Sequence, residues 1–224
     1  MDVIVSGSEG LIGSEVCRFL TECGHNVHRL DLSLGNDLSD EQFVKTWFRS
    51  RRADALVNLF ALNDHVRTER SSAKLMDIDL ESFRAYLDVN LTCLFSVCRE
   101  FARNNRPASI VNFTSTYGLV SPRPELYNGD EKHIAYGVSK AGVIQLSRHL
   151  AVHLAPDIRV NCIAPGGVLN TQSPTFVDAY SRHAPMGRLM NVDELPPLVE
   201  FLIGPASTYC TGAVFTIDGG WTAV

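Results

Sequence analysis

Short apolar segments rich in β-branched residues alternate along the chain with longer stretches in which apolar positions recur every three or four residues. The short segments predict buried strands, and the longer ones predict helices that cover a parallel sheet on both faces. The predicted strands are Val3–Ser6, Asn26–Leu30, Ala55–Leu59, Ser109–Phe113, Arg159–Ile163 and Val214–Ile217. The predicted helices lie near 11–23, 40–50, 80–104, 135–154, 175–182 and 192–203. We therefore expect an α/β protein with a doubly wound parallel sheet.

The connection that follows the second predicted strand is short. The stretch from Asp31 to Asp37 cannot hold a full crossover helix, and parallel neighbours need a crossover of a dozen residues or more. A third strand beyond the second one would therefore be rudimentary or reached by a bare loop. No repeat, low-complexity tract or linker divides the sequence, so we expect residues 1–224 to form a single domain.

Composition narrows the class of protein. The 224 residues are 45% apolar and 20% charged, which is typical of a soluble globular domain. A net charge of −5 gives no reason to expect a nucleic acid or an anionic membrane as partner. The six cysteines show no paired spacing, the N-terminus runs into VIVSG without a basic leader, and no apolar run could span a bilayer. We expect a cytoplasmic protein with reduced thiols.

Three glycines follow the first predicted strand. The sequence VIVSGSEGLIGSEVCRFL places Gly7, Gly10 and Gly13 between a buried strand and a helix. Glycine is needed where φ is positive or where the backbone approaches a ligand closely, and the N–H groups that start a helix favour a pyrophosphate. A GxxGxxG string alone is equally consistent with a structural turn. Its position between strand and helix favours a dinucleotide site in a Rossmann-type fold.

The second predicted strand, NVHRLDL, ends at Asp31, 18 residues after Gly13. A carboxylate there can accept hydrogen bonds from both hydroxyls of an adenosine ribose and would repel a 2′-phosphate, which favours NAD over NADP. Arg29, two residues earlier, could weaken that preference. The alternative is that Asp31 only caps the next helical turn.

Tyr136 and Lys140 lie four residues apart, and hence on one face of the predicted helix. A phenol has an ordinary pKa of about 10, and a nearby ammonium stabilises the phenolate and lowers that pKa. The pair therefore predicts a general acid/base and its electrostatic partner. The alternative is a half-buried tyrosine beside a lysine whose ammonium reaches solvent.

Two further polar residues stand where a site would need them. The strand in SIVNFTSTYG delivers Ser115 to the sheet edge at which doubly wound folds bind ligands, and its hydroxyl could hold a substrate oxygen. Asn90 interrupts the apolar helix LDVNLTCLFSVCREFA, where an amide must find buried partners.

The order of these features resembles the short-chain dehydrogenase/reductase family, from Val3 to about Trp221. The strings DALVN, RVNCIAPGGV and GAVFTIDGGW are similar to the family's NNAG region, its RVNxxxPG and its GxxxxVDGG. The resemblance implies an NAD(P)-dependent oxidoreductase whose one domain both binds the dinucleotide and carries the catalytic residues. The implied catalytic residues are Asn90, Ser115, Tyr136 and Lys140. Tyr136 would give or take the proton, Ser115 would fix the substrate oxygen, Lys140 would bind the nicotinamide ribose, and Asn90 would hold a water that links Lys140 to solvent.

The resemblance also implies contacts to the dinucleotide from several segments. Asp37 and Leu38 resemble the family's acid–apolar pair against the adenine, Asn58 stands at the first Asn of NNAG, and Pro165 to Val168 would flank the nicotinamide. The implied cofactor-binding residues are Gly7, Gly10, Leu11, Ile12, Gly13, Asp31, Asp37, Leu38, Asn58, Ala61, Tyr136, Lys140, Pro165, Gly166 and Val168.

The chain departs from the short members of the family in three places. GxxGxxG is more typical of longer, sugar-nucleotide-modifying members, and Leu59 to Ala61 replace the rest of NNAG with bulkier residues. Ser115 and Tyr136 are 21 residues apart, more than is usual, and the extra segment GLVSPRPELYNGDEKH (118–133) should project over the active-site mouth. It is either a tolerated surface insertion or a grip on a polar substrate. The candidate residues for that grip are Arg123, Tyr127, Asn128 and Asp130.

The segment GVLNTQSPTFVDAYSRHAPMGR corresponds to the family's substrate loop and is strongly polar here. A steroid or a long acyl chain needs an apolar pocket, so a polyol, a sugar or a sugar derivative fits better. The glycine loop and the long insert are also similar to those of members linked to bacterial surface-sugar synthesis. We therefore expect an NAD-dependent interconversion of a secondary alcohol and a ketone on a carbohydrate-like substrate.

Two other functions stay open. An epimerase or dehydratase that retains NAD normally carries a separate C-terminal lobe, whereas the sheet signature here continues to Gly220. A non-catalytic NAD-binding sensor would not need Ser115, Tyr136 and Lys140 together. His133, His149, His153 and His183 show no spacing with acids or cysteines that would suggest a metal site. The apolar helices 80–104 and 135–154 pair across a two-fold axis in this family, so a homodimer or homotetramer is expected.

Overall fold

The structure is a computed structural model and describes residues 1–63, 74–127 and 129–224. Within these residues, six parallel strands form one sheet in the order β2-β1-β3-β4-β5-β6. The strands are β1 (Asp2–Ser6), β2 (Asn26–Leu30), β3 (Ala55–Asn58), β4 (Ala108–Phe113), β5 (Ile158–Pro165) and β6 (Val214–Ile217). The order reverses between β1 and β3, which is where doubly wound folds bind ligands. The prediction of a Rossmann-type α/β fold is confirmed.

The helices cover both faces of this sheet. They are α1 (Leu11–Glu22), α2 (Glu41–Arg49), α3 (Leu80–Leu87), α4 (Leu94–Asn104), α5 (Ile134–Leu154), α6 (Pro174–His183) and α7 (Pro196–Ile203). On β1, Ile4 faces the layer of α2, α4 and α5, whereas its neighbours Val3 and Val5 face α1 and α7. All three are fully buried, because successive side chains of a strand point to opposite faces and both faces are covered here.

The helix predicted over 80–104 is present, but it is not α-helical throughout. A π-helical segment, Asp88–Cys93, separates α3 from α4. It contains Asn90, which is buried and hydrogen-bonded to residues outside its own helix. A buried amide needs partners, and a π-bulge lets this side chain reach them without ending the helix.

One helix boundary also differs from the prediction. The helix predicted from 192 begins at Pro196, because residues Val192–Glu194 form a separate 3₁₀ turn and proline favours the first turn of a helix. In the described part of the chain, no strand pairs beyond β2; a 3₁₀ turn, Leu32–Leu34, leads to α2 and then to β3. The short connection after Asp31 accounts for that. Among the described helices, none is long and apolar enough to cross a membrane.

Candidate active site

The glycine loop lies between β1 and α1, and two of its glycines are required by the fold itself. Gly7 has φ +74°, and a Cβ there would lie 2.4 Å from the Phe60 nitrogen. A Cβ on Gly13 would lie 2.0 Å from the Gly7 carbonyl oxygen. A Cβ on Gly10 would meet nothing nearer than 3.6 Å, so the space in front of the start of α1 is open. A pyrophosphate fits such an open helix start, which carries a partial positive charge.

Asp31 follows β2 and turns back toward this loop. Its carboxylate accepts hydrogen bonds from the Ser33 backbone N–H at 2.9 Å and from the Glu9 backbone N–H at 3.1 Å. Burial opposes ionisation, but these hydrogen bonds outweigh it and hold the pKa of Asp31 below its ordinary value. Asp31 is therefore both a cap for the next turn and a charged acid beside the glycine loop.

The guanidinium of Arg29, two residues before Asp31, forms an ion pair. Its Nη1 lies 3.0 Å from Glu9 Oε1, and the Ser8 hydroxyl donates to the same oxygen at 2.9 Å. Glu9 belongs to the glycine loop, so a second carboxylate stands beside Asp31. The sequence analysis missed Glu9; the signal was an acid inside the loop opposite a basic residue on the neighbouring strand.

Other predicted cofactor contacts lie at the same edge with different environments. The Asp37 carboxylate is exposed and caps Ser39, whereas Leu38 is buried in the core against α2. Leu11 is exposed and Ile12 and Ala61 are partly or largely exposed, so all three can be reached from the edge. A dinucleotide contact from each of these residues stays a prediction.

Asn58 points elsewhere. Its side-chain Oδ1 accepts from the Ser6 hydroxyl at 2.7 Å, and its Nδ2 donates to Asn112 Oδ1 at 2.8 Å. Asn112 in turn donates to the Ser147 hydroxyl at 2.8 Å. This buried chain of hydrogen bonds joins β1, β3 and β4 to α5. A contact between Asn58 and a dinucleotide stays a prediction, and it would have to come from the backbone.

Ser115, Tyr136 and Lys140 converge at the carboxyl end of β4. Ser115 lies two positions after Phe113, the last residue of that strand, and Tyr136 and Lys140 occupy the first two turns of α5. A hydrogen bond joins the side chains of Ser115 and Tyr136. Lys140 Nζ donates to the Phe113 carbonyl at 2.9 Å and lies 5.9 Å from the centroid of the Tyr136 ring. The predicted grouping of the three side chains is therefore present.

Burial dominates the protonation of this group. It raises the pKa of the Tyr136 phenol, and the hydrogen bond from Ser115 acts in the opposite direction. Burial also lowers the pKa of Lys140 to about 8. The expectation that the lysine charge lowers the pKa of Tyr136 is wrong for this structure, because burial is the largest influence on the phenol and raises its pKa.

Asn90 connects the site to the loop after β3. Its Oδ1 accepts from the Leu62 backbone N–H at 2.6 Å, and its Nδ2 donates to the Leu62 carbonyl at 3.1 Å and to the Ser139 hydroxyl at 3.0 Å. Ser139 donates to the Tyr136 carbonyl at 2.8 Å. The side-chain amide thus fixes α5 against this loop. A water held by Asn90 stays a prediction and would use its backbone.

The segment from Pro165 to Val168 is held by α6. The Tyr180 hydroxyl accepts from the Gly167 backbone N–H at 2.7 Å. A Cβ on Gly166 or Gly167 would come within 3.0 Å of the Tyr180 side chain, so both glycines make room for it. The sequence analysis missed Tyr180, although two glycines after Pro165 signalled a large neighbour.

The insert, 118–133, does not stand away from the surface. Leu126 is buried in an apolar cluster with Tyr180 and Trp221, and the Arg123 guanidinium lies 5.5 Å from the centroid of the Trp221 ring. Lys132 Nζ lies 2.5 Å from Asn63 Oδ1. The insert is therefore packed against other residues beside the site, as a role in substrate binding would require. Asn128, one of its predicted contacts, lies outside the described residues.

The histidine, cysteine and acidic side chains are the possible metal ligands of this chain. In the parts of the chain that the structure describes, no group of histidine, cysteine and acidic side chains could hold a metal ion. His133, the nearest histidine to Tyr136 in the sequence, stacks on Tyr86 with ring centroids 4.4 Å apart.

Comparison with known proteins places these features in context. A family model described as enoyl-(acyl carrier protein) reductase matches residues 3–222. An uncharacterized short-chain type dehydrogenase/reductase from Sinorhizobium fredii is 34% identical over 91% of this chain, and the chain spans 37% of that relative's length. A cis-4-hydroxycyclohexanecarboxylate dehydrogenase from Sinomonas cyclohexanicum is 30% identical, over 99% of this chain and 87% of the relative. A galactitol 2-dehydrogenase (L-tagatose-forming) from Cereibacter sphaeroides is 32% identical, over 97% of this chain and 93% of the relative.

Solved structures share the same architecture. The crystal structure of a short-chain dehydrogenase from Leptospira borgpetersenii with bound NAD⁺ has a TM-score of 0.88 and 27% sequence identity to this chain. The match covers 99% of this chain and 92% of that one.

Proposed function

Since this chain belongs to the short-chain dehydrogenase/reductase family and is an NAD(P)-dependent oxidoreductase, we propose that it interconverts a secondary alcohol and a ketone on a carbohydrate-like substrate. The observation that carries the proposal is the convergence of Ser115, Tyr136 and Lys140 at the carboxyl end of β4. A hydroxyl, a phenol and an ammonium beside the cofactor edge of the sheet suit proton transfer to and from a substrate oxygen.

Each of the three residues has its own task in this proposal. The dinucleotide, when bound, supplies a nicotinamide that accepts or returns a hydride. Ser115 donates a hydrogen bond to the substrate oxygen and so fixes the carbon that reacts. Tyr136 donates its proton to that oxygen during ketone reduction and removes the alcohol proton during oxidation. Lys140 supplies positive charge near the phenol and a donor for the nicotinamide ribose.

The raised pKa of Tyr136 predicts how the reaction rates depend on pH. Burial raises the pKa of Tyr136, so the neutral phenol predominates near pH 7 and is ready to donate. Alcohol oxidation needs the deprotonated phenol as base, so its rate should rise with pH, whereas ketone reduction should fall as the phenol loses its proton.

We propose that the cofactor is NAD rather than NADP. Asp31 is held ionised beside the glycine loop, and Glu9 adds a second carboxylate there. Glu9 also occupies the guanidinium of Arg29, the basic group nearest Asp31 in the sequence. Two carboxylates and a neutralised arginine disfavour a 2′-phosphate.

Four hydroxyl groups support the choice of substrate, and two of them, from Tyr117 and Tyr127, face a cavity of about 570 Å³ whose other lining is largely apolar. Hydroxyl groups of Ser115, Tyr117, Tyr127 and Tyr136 lie on the side of the site formed by the end of β4, α5 and the insert. A galactitol dehydrogenase and a hydroxycyclohexanecarboxylate dehydrogenase among the relatives act on hydroxylated substrates by name. A long acyl chain would need an apolar tunnel instead.

The assembly and location are also proposals. Phe95 on α4 and Val138 on α5 are large apolar side chains left exposed, and Leu146 and Leu150 line a groove of about 590 Å³ between the two helices. We propose that a second copy covers this face, giving a homodimer or homotetramer. We also propose a single catalytic domain and a cytoplasmic location.

The test is a matched panel of alcohols with NAD⁺ and purified protein. Galactitol and other polyols should reduce NAD⁺, read as NADH absorbance, with kcat/KM at least about tenfold above apolar secondary alcohols of similar size. Turnover restricted to apolar alcohols or acyl thioesters would remove the carbohydrate-like substrate. NAD⁺ binding without turnover of any alcohol or ketone would instead favour the sensor.

A further inference from the structure

A second pair of hydroxyl groups lies next to the reacting residues. The phenol oxygens of Tyr117 and Tyr127 are 2.6 Å apart, and either of them can be the donor. Tyr117 comes two residues after Ser115, at the end of β4, whereas Tyr127 comes from the insert. The pair is therefore formed by the turn after β4 on one side and by the insert on the other.

Both tyrosines are positioned by their packing. Tyr117 lies in the apolar cluster that also contains Tyr136 and Tyr86, and its backbone N–H donates to the Ser115 hydroxyl at 3.1 Å. Tyr127 packs on α6, with its ring centroid 6.0 Å from that of Phe176. Tyr117 is thus held beside Ser115 and Tyr136, and Tyr127 is held against α6.

The two phenols stay neutral at physiological pH. Burial raises the pKa of Tyr127 to about 12 and raises that of Tyr117 still further. Two neutral hydroxyls hold two protons, and their mutual hydrogen bond uses one. The other proton and the free lone pairs are available to a partner that can both donate and accept, and an alcohol hydroxyl is such a partner.

We propose that the Tyr117–Tyr127 pair binds a second hydroxyl of the substrate, close to the carbon that reacts, and thereby selects polyols over simple secondary alcohols. The inference rests on the proposed function, because it assigns the first substrate oxygen to Ser115 and Tyr136. It gives the insert a task in specificity that its packing alone does not require.

A purely structural pair makes a different prediction. If the hydrogen bond only fastens the insert to the end of β4, its loss should lower thermal stability and affect all substrates equally. If the pair binds a substrate hydroxyl, its loss should affect substrates that carry the second hydroxyl and spare those that lack it.

The experiment compares cyclohexanol with the 1,2-, 1,3- and 1,4-cyclohexanediols as substrates with NAD⁺. In the unaltered enzyme, at least one diol should exceed cyclohexanol in kcat/KM by about tenfold or more, as a hydrogen bond to a substrate hydroxyl provides. Tyr127→Phe and Tyr117→Phe should each remove most of that advantage. The double variant should lose little more than either single one, since each change disrupts the same pair.

Tyr209→Phe is the matched control, because Tyr209 is a fully exposed phenol and does not line the cavity beside this pair. It should keep the ratio of diol to cyclohexanol. An advantage that survives in both Tyr127→Phe and Tyr117→Phe, or equal losses for cyclohexanol and every diol, would overturn the inference.

Binding measured without turnover separates this inference from the proposed reaction. In the NADH complex of Tyr136→Phe, the same diol should bind more tightly than cyclohexanol, and added Tyr127→Phe should abolish the difference. Preferential diol binding in a protein that oxidises no alcohol would leave the pair assigned and remove the proposed reaction. Equal binding of all four compounds would remove the pair's role, whether or not the enzyme is active.

Discussion

The two halves of the site are built in different ways. The half around the glycine loop comes from one stretch of chain, from β1 to the turn after β2, and uses backbone groups together with the carboxylates of the exposed Glu9 and the half-buried Asp31. The half around Tyr136 draws on β4, α5, α6 and the insert, and its polar side chains are buried. Lys140 is 4% exposed and Asn90 is 2% exposed.

This difference separates two physical problems. Gly7 and Gly13 are required for steric reasons, since any side chain there would collide with the backbone. The Tyr136 half solves an electrostatic problem, since it must hold a phenol and an ammonium away from water. We expect changes in the first half to alter which dinucleotide binds, and changes in the second half to alter catalysis and stability.

The largest effect should come from Tyr136→Phe. Removing the phenol oxygen takes away the proton donor and acceptor, so turnover should fall by at least about 100-fold, the scale of a lost general acid/base. The ring stays in its cluster with Tyr86 and Ala135, so the fold should be kept. Steady-state kinetics with the best substrate of the panel measures the change.

Dinucleotide affinity supplies the internal control for that variant. NADH fluorescence titration should give a dissociation constant close to that of the unaltered protein, because the glycine loop and Asp31 are untouched. A loss of NADH binding as large as the loss of turnover would show that the two halves are not separable in this way.

The same division explains what the sequence could predict. Strand ends and helical spacing are local properties of a sequence. They were sufficient to identify the glycine loop, Asp31, Ser115, Tyr136 and Lys140. Their convergence followed from the topology, since carboxyl ends of parallel strands share one edge. The π-bulge at Asn90 was not predicted, because it depends on the partners Leu62 and Ser139, which come from other segments of the chain.

Contacts between side chains that are far apart in the sequence could not be predicted from it, for the same reason. The acid in the glycine loop and the two glycines after Pro165 are visible in the sequence, but they do not identify Arg29 and Tyr180 as the partners. Asn58 was interpreted from its position beside the cofactor, whereas its side chain takes part in a hydrogen-bond chain with Ser6. In each case the partner is set by the packing of two elements.

An intermediate effect is expected for Lys140→Met, measured as stability. The pKa of Lys140 is about 8 in the folded protein instead of 10.5. Its charge therefore destabilises the folded state by roughly 3 kcal/mol at pH 7, at about 1.4 kcal/mol for each pKa unit. Methionine fills similar space without a charge, so the variant should be more stable at pH 7.

The pH dependence identifies the cause of that gain. Between about pH 8 and 10.5, the unfolded chain binds the lysine proton more fully than the folded protein, so this group's penalty declines as pH rises. The difference in free energy of unfolding between the two proteins should shrink by roughly 2 kcal/mol from pH 7 to pH 9.5. Urea denaturation at both pH values measures it, and an unchanged difference would rule out the buried charge as its source.

The smallest effect should come from Glu9→Gln, in the dinucleotide half. The change removes a carboxylate and releases the Arg29 guanidinium from its ion pair of 3.0 Å. Binding of NADP⁺ relative to NAD⁺ should improve by about 5- to 10-fold, in line with about 1 kcal/mol for an exposed charge interaction. Turnover with NAD⁺ should change little, because Tyr136 and Lys140 belong to the other half.

Arg29→Ala decides whether the arginine is responsible for that effect. In the double variant, Glu9→Gln should improve NADP⁺ binding less than it does alone, since no guanidinium remains to meet the 2′-phosphate. Equal gains with and without Arg29 would mean that removal of negative charge acts by itself. No gain in either background would mean that Asp31 alone excludes the phosphate, and that Glu9 has no part in the choice between the two dinucleotides.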